Sequence, residues 1–211
     1  ERVHVVPSGI APCFHGPASP IAQPLFFAVG RLAPVKRFDA LVRALAPCAE
    51  RFDGFELVIV GEGEERGRIE ATIDELRARR WVRLAGRLTD DELVALYRRA
   101  WLVTSASLAE GWGMTITEAA ACGVPAVVTD VGGHRDAVEA GVTGELAPLE
   151  QLGAVVAAVL GDPARRRRLA AAAQQRAARF TWDATAAATL AVLVDEAARL
   201  RAPRRPGATP R

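Results

Sequence analysis

The feature that most constrains this chain is an alternation. Short apolar runs that end at glycine are separated by longer stretches with helical spacing. Leu25-Phe26-Phe27-Ala28-Val29 ends at Gly30, Phe55 to Val60 at Gly61, and Trp81 to Ala85 at Gly86. Trp101 to Thr104, Ala126 to Thr129 and a short segment near Gly144 to Leu146 continue the series. Helical spacing covers Phe38 to Arg51, Glu65 to Arg79, Asp90 to Arg99, Met114 to Cys122 and His134 to Glu139. Thr89, with Glu92 three residues on, reads as a capping box that starts the third of these helices. Strands that are apolar without interruption need cover on both faces, and strand-helix alternation around a parallel sheet supplies it. The predicted fold class is therefore α/β, a Rossmann-like doubly wound parallel sheet. After Pro148 the pattern turns helical and Ala-rich, over Leu149 to Leu160, Pro163 to Arg179 and Trp182 to Leu200, with Thr181 or Asp183 to cap the last helix.

Bulk properties narrow the function classes. The 211 residues suit one large domain with an added terminal element, and half of them are hydrophobic. A net charge of +2 is too balanced to argue for nucleic acid. The basic runs at Arg165 to Arg168 and Arg199 to Arg211 are expected to be solvated surface. Three widely spaced cysteines, Cys13, Cys48 and Cys122, fit neither a disulfide framework nor a zinc site, and a reducing compartment is the simplest expectation. No apolar stretch reaches the ~18 residues of a membrane span. The chain shows no signal-peptide pattern and no initiator Met, so Glu1 is expected to mark the start of a fragment.

In doubly wound sheets ligands sit beyond the C-terminal ends of the strands. The loops at Gly30 to Lys36, Gly61 to Arg66, Gly86 to Leu88, Ser105 to Gly113 and Asp130 to Arg135 are therefore the candidate binding rim. The first carries two cations, Arg31 and Lys36, suited to a diphosphate: a rigid fork and a point charge. The fourth holds the strongest signal, Glu110-Gly111-Trp112-Gly113-Met114-Thr115-Ile116-Thr117-Glu118. Its glycines let backbone N–H groups approach a ligand, and the helix beginning near Met114 favours an anion at its N-terminus. Carboxylates repel phosphate but accept hydrogen bonds from hydroxyls, so Glu110 and Glu118 point to sugars: a transferred sugar for one, ribose for the other.

Here the chain resembles a known family. Glu-x7-Glu with Gly-Trp-Gly inside it, followed by Ala119-Ala120-Ala121-Cys122-Gly123-Val124-Pro125-Ala126-Val127, resembles the retaining glycosyltransferases of family 4 (group 1), which have the GT-B fold. Gly30-Arg31-Leu32-Ala33-Pro34-Val35-Lys36 is similar to their donor-phosphate motif. Val58 to Gly63, Val82 to Gly86 and Thr129 to Gly133 occur in the family's order, and the likeness runs over residues 3 to 200. Trp112 stands where Phe is commoner, Ser8 where Asn is usual, and Asp136 where Glu is usual.

The resemblance implies a division into an interdomain segment (1–24), a nucleotide-sugar-binding domain (25–180), a closing helix (181–201) and a tail (202–211) expected to be disordered. It implies that Arg31 and Lys36 bind the donor diphosphate, that Glu118 binds ribose and that Glu110 contacts the transferred sugar, with Glu110, Arg31 and Lys36 the candidate catalytic residues. The residues around Arg87 and Leu88 would hold the base, backbone N–H groups near Trp112, Gly113 and Met114 would meet phosphate or sugar, and Gly30, Gly61, Gly111 and Thr115 would complete the donor-binding set. The implied partner is a UDP-, GDP- or ADP-linked sugar, with no cofactor and no metal. The acceptor would be held by an absent N-terminal half, so this half alone is expected to be inactive. The implied location is cytoplasmic, with peripheral contact of the basic tail at the inner membrane face.

Alternatives are weaker. Gly61-Glu62-Gly63-Glu64-Glu65-Arg66-Gly67 misses the dinucleotide glycine spacing by one residue, and its glutamates would repel a pyrophosphate. A non-catalytic interaction or nucleotide-binding domain on the same fold is the remaining alternative, although it would be expected to have lost part of the four-charge set. His134 is assigned to helix capping or surface rather than to the ligand. Trp81 and Trp101 are assigned to core or sheet-edge packing, and Trp182 to packing of the last helix on the sheet.

Overall fold

A computed structural model describes residues 3–16, 18–20 and 22–201. Six strands follow in chain order: β1 (Leu25–Val29), β2 (Glu56–Val60), β3 (Val82–Gly86), β4 (Leu102–Ser105), β5 (Ala126–Thr129) and β6 (Gly144–Ala147). The helices are α1 (Phe38–Arg51), α2 (Arg66–Glu75), α3 (Asp90–Arg99), α4 (Met114–Ala121), α5 (Gly132–Ala137), α6 (Leu149–Leu160), α7 (Pro163–Ala177) and α8 (Trp182–Arg201). The sheet runs β3-β2-β1-β4-β5-β6, and every pairing is parallel. The doubly wound α/β class read from the alternation is the observed one.

Period-two alternation divides each apolar run between two core layers. Phe26 and Ala28 of β1, with Leu57 and Ile59 of β2, join Leu41, Leu45 and Leu152 in one cluster. Phe27, Val58 and Val60 join Tyr97, Ile116 and Ala119 in the other. Removing such a side chain from water contributes about 1.5–3 kcal/mol, so the strands hold the sheet from both faces.

The topology positions the site. From β1 the chain moves outward through β2 to β3, then returns to the other side of β1 as β4. The loops after β1 and β4 therefore diverge above adjacent strands and open a crevice between them. Gly61 lets the β2 end close up beside it: its φ is +136°, and a Cβ there would lie 2.0 Å from the Gly30 carbonyl oxygen.

Several local expectations change. The helix expected over Glu65 to Arg79 stops at Glu75, because Arg77 turns into the left-handed region (φ 50°) before a short 3-10 turn over Ala78–Arg80. The Thr89–Glu92 capping box forms in both directions. Thr181, not Asp183, caps α8 by accepting from the Ala184 N–H at 3.1 Å.

Trp81 is buried beside Phe55, as expected of a core residue. Trp182 is 53% exposed and lies against Gly9 of the segment before β1, not on the sheet. The Arg165 to Arg168 run is only partly solvated. Arg165 reaches Glu145 at 2.7 Å, and the Arg166 guanidinium covers the Trp101 ring at 3.6 Å. Arg166 is half-buried, and Arg167 and Arg168 alone in that run are fully exposed. The tail at 202–211 lies outside the described residues. Among the described residues no helix is long and apolar enough to cross a membrane.

Candidate functional site

The loop after β1 and the loop after β4 are tied together at the crevice. Lys36 Nζ donates to Glu110 Oε1 at 2.9 Å and to Oε2 at 2.6 Å. Both side chains are about four-fifths buried, at 22% and 18% exposure. The lysine stem crosses Gly30, where a Cβ would stand 3.3 Å from its Cε. An ammonium has three donors and two are engaged, so one N–H of Lys36 is left for a ligand.

Glu110 is positioned from several directions. Ser107 Oγ donates to its Oε2 at 3.1 Å, and Ser107 and Ser105 share a hydrogen bond of 3.0 Å. Thr129 Oγ1 donates to the Ser107 carbonyl at 2.7 Å, which fastens this loop to the end of β5. The Gly133 N–H donates to the Glu110 carbonyl at 3.0 Å, and a Cβ on Gly133 would lie 2.5 Å from that oxygen. Only glycine permits so close an approach. The Glu110 oxygens offer about four acceptor positions, of which three are used; the one left is on Oε1.

His134 is 1% exposed, so its assignment to capping or surface is overturned. It sits within the first turn of α5, which begins at Gly132 and turns the ring inward under the Glu110 loop. Nδ1 lies 2.6 Å from the Thr129 carbonyl, an acceptor only, so Nδ1 carries the proton. Nε2 then faces Glu110 Oε2 across 3.9 Å. Burial lowers the imidazole below its ordinary pKa and outweighs the upward pull of the Thr129 carbonyl and of Glu110; Lys36 lowers it further. A neutral ring presents an acceptor at Nε2.

The second carboxylate has different company. Glu118, in the second turn of α4, accepts from the Tyr97 hydroxyl at 3.1 Å. Burial pushes its carboxyl up to about 7; the Tyr97 bond opposes this, and Asp90 adds to it. Burial, then Glu118 itself, holds the Tyr97 phenol well above its usual range.

Arg31 is exposed and lies on the other side of Gly30. Gly30, Arg31, Gly61, Arg87 and Leu88 all line one cavity of about 380 Å³, together with Glu62. That volume is within the range of small-molecule sites. The Glu62 carboxylate on its rim is held by Arg66 at 2.7 Å. Gly111 is exposed, and Gly113 leads into α4 with a φ of +80°. Met114 is 44% exposed and Thr115 half-buried at the first turn, where N–H groups have no partner within the helix. Trp112 turns its ring edge-on to Phe180 at 5.5 Å, so its side chain serves packing.

Most of the predicted residues thus form two adjoining groups that share Gly30, while Glu118 is paired with Tyr97. One holds Lys36, Glu110 and the α4 start; the other holds Arg31, Gly61, Arg87 and Leu88. Sequence reasoning missed Tyr97, Ser107, Thr129 and His134. Ser107 and His134 fall within the Ser105 to Gly113 and Asp130 to Arg135 loops, which was the local signal available. Among the described residues no group of three or more His, Cys, Asp or Glu side chains is arranged to hold a metal. A larger cavity, about 640 Å³, is built from α1 and α6 side chains alone and receives no strand-end loop.

Known proteins resemble this chain in sequence and fold. Residues 16–176 match the family described as Glycosyl transferases group 1. A D-inositol 3-phosphate glycosyltransferase from Acidothermus cellulolyticus is 34% identical over 224 residues, which covers 95% of this chain and 50% of that protein. A glycogen synthase from Mycobacterium tuberculosis is 37% identical over 168 residues, 78% of this chain and 41% of that protein. Among solved structures, a sucrose-phosphate synthase from Thermosynechococcus elongatus superimposes with a TM-score of 0.82 at 27% identity, over 93% of this chain and 53% of that one. Anabaena HepE in complex with UDP-glucose gives a TM-score of 0.72 at 25% identity, over 84% of this chain and 49% of that one. The chain spans about half the length of the curated relatives it matches. With the family match covering most of the sheet and both halves of the crevice, this chain belongs to the group 1 glycosyl transferases.

Proposed function

We propose that this chain is the C-terminal, nucleotide-sugar-binding half of a family 4 retaining glycosyltransferase that transfers a hexose-type sugar. The observation that carries the reading is the Lys36–Glu110 pair at the point where the strand order reverses. It sets a cation for a diphosphate directly beside an acceptor for a sugar hydroxyl. In the proposed complex Arg31 and the spare Lys36 N–H take the diphosphate. Glu110 takes a hydroxyl of the transferred sugar on its free Oε1 position, and Glu118 takes the ribose diol. The base lies in the cavity at Arg87 and Leu88, and the first N–H groups of α4 face the phosphates.

The chemistry follows from this placement. As the glycosidic C–O bond to the diphosphate breaks, negative charge grows on the leaving oxygens. Arg31, Lys36 and the α4 N-terminus are already in place to stabilise it, at low reorganisation cost. On this account no metal is needed to neutralise the leaving group. The division at 1–24, 25–180 and 181–201, a cytoplasmic site supported by three free cysteines, and contact of the intact enzyme with a membrane face belong to the same proposal. The acceptor is assigned to a second half, and the chain alone is expected to bind donor and transfer little or no sugar.

Thermal unfolding with UDP, GDP and ADP tests this reading. Mass action gives about 2.7 kcal/mol of stabilisation at a hundredfold excess over Kd. One of the three is expected to raise Tm, and no shift with any of them would sink the donor-site reading.

A further inference from the structure

We infer that Tyr97 is a positioning residue for ribose recognition: its hydroxyl fixes the Glu118 carboxylate so that the remaining oxygen positions meet the two hydroxyls of a ribose. This rests on the reading of the crevice as a nucleotide-sugar site, and adds to it a residue outside every strand-end loop.

Tyr97 lies near the end of α3 and is fully buried. Its ring stacks on Phe27 of β1 at 4.5 Å and 24°, and meets Phe14 at 5.7 Å. Phe14 is itself held from α4, because Cys122 Sγ donates to its carbonyl at 2.9 Å. A ring enclosed by a strand, a helix and the segment before β1 has one orientation, so its oxygen is a fixed point. From there the hydroxyl donates to Glu118 Oε2 at 3.1 Å. Among the described residues no other side chain donates to this carboxylate.

The electrostatics explain why a neutral donor stands here. The groups facing Glu118 are Tyr97 and Asp90 of α3 and Cys122 beyond the end of its own helix; none is a cation. A lysine or arginine would satisfy the carboxylate and compete with a diol. A phenol takes one acceptor position of about four and leaves both on Oε1 and one on Oε2. Vicinal hydroxyls need two acceptors held at fixed separation. A carboxylate free to rotate offers them only part of the time.

Tyr97→Phe removes one oxygen and keeps the ring contacts, so the test is a comparison of ligands. Calorimetry would follow whichever of UDP, GDP and ADP binds best, and its 2′-deoxy counterpart. The unmodified chain is expected to prefer the ribonucleotide, and Tyr97→Phe to reduce that preference by about threefold to tenfold, the scale of one hydrogen bond. A preference unchanged in Tyr97→Phe, with both ligands still bound, overturns the inference and leaves the donor-site reading standing. Failure of the unmodified chain to bind any of the three overturns both. The chain contains one tyrosine, so fluorotyrosine incorporation gives a single ¹⁹F resonance at position 97 without a variant. It is expected to shift with the ribonucleotide and by much less with the deoxynucleotide; equal shifts contradict the inference.

Discussion

The loop after β4 and the helix that follows it each present one glutamate, and the two surroundings are opposite. Glu110 is met by Lys36, Ser107 and the edge of a buried imidazole. Glu118 is met by one neutral phenol, and both burial and Asp90 raise its carboxyl. The difference separates two tasks. In the proposed complex the carboxylate held by a lysine meets the sugar, while the spare N–H of that lysine meets the diphosphate beside it. A carboxylate raised toward neutral pH by burial is short of donors, and ribose hydroxyls supply them.

The largest effect expected is on the charged side. Lys36→Met should weaken nucleoside diphosphate binding by about 10- to 100-fold, the scale of one charge-assisted hydrogen bond. Glu110→Gln should leave the diphosphate near its original affinity and weaken only the sugar nucleotide. Calorimetry with whichever of UDP, GDP and ADP binds best, and with its glucose-linked form, separates the two, and equal losses for both ligands in Glu110→Gln would break the division of roles.

Next comes the buried side. Glu118→Gln should weaken the preferred nucleoside diphosphate about tenfold and shrink the gap between it and its 2′-deoxy counterpart, whereas Glu110→Gln should leave that gap intact.

The third expectation concerns pH. Glu118 has its folded pKa raised to about 7 from an ordinary 4.5. Below that ordinary value the group is protonated in both folded and unfolded chains and costs nothing. Its cost appears as pH rises through the window and is complete above about 7. Without ligand, Glu118→Gln should therefore melt higher than the unmodified chain at pH 8, with the gap closing toward pH 5. One kcal/mol corresponds to about 2–4 °C in a chain of this size. A gap that widens on acidification would contradict the burial account.

The smallest effect should come from His134→Leu. It removes the Nε2 edge beside Glu110 and should weaken the sugar nucleotide about threefold, with the matching nucleoside diphosphate unchanged. Parallel loss of both ligands would make His134 a structural residue only.

The fold was legible because its signals are local. Glycine-ended apolar runs and the Thr89–Glu92 box fixed element types, and Ala126 to Thr129 and Leu149 to Leu160 coincide with β5 and α6. The four charged candidates stood out because strand-end loops are where such folds bind ligands, and the structure brings two of them, Lys36 and Glu110, together. Their partners were not. Lys36 meets Glu110 only because β4 returns beside β1, a property of the strand order. Tyr97 reads as one more apolar position of α3, and its hydroxyl acquires meaning only from α4 beside it. His134 looked exposed because it falls at a helix start, yet α5 begins two residues earlier and turns the ring inward. Trp182 was misplaced for a similar reason: α8 docks on the segment near Gly9, a contact with no local pattern.

The central claim is that the rim between the β1 and β4 loops binds a nucleoside diphosphate and its sugar. The chain contains one methionine, Met114, at the first residue of α4 and 44% exposed. A ¹³C-methyl methionine spectrum titrated with whichever of UDP, GDP and ADP binds best, and then with its glucose-linked form, reports on that position directly, with the resonance assigned by its loss in Met114→Leu. The account predicts one saturable shift with the nucleoside diphosphate, a further change with the sugar nucleotide, and both displaced to at least about tenfold higher ligand concentration in Lys36→Leu, which adds no second methionine. A resonance that stays fixed while calorimetry records nucleotide binding would place the ligand elsewhere and contradict the account.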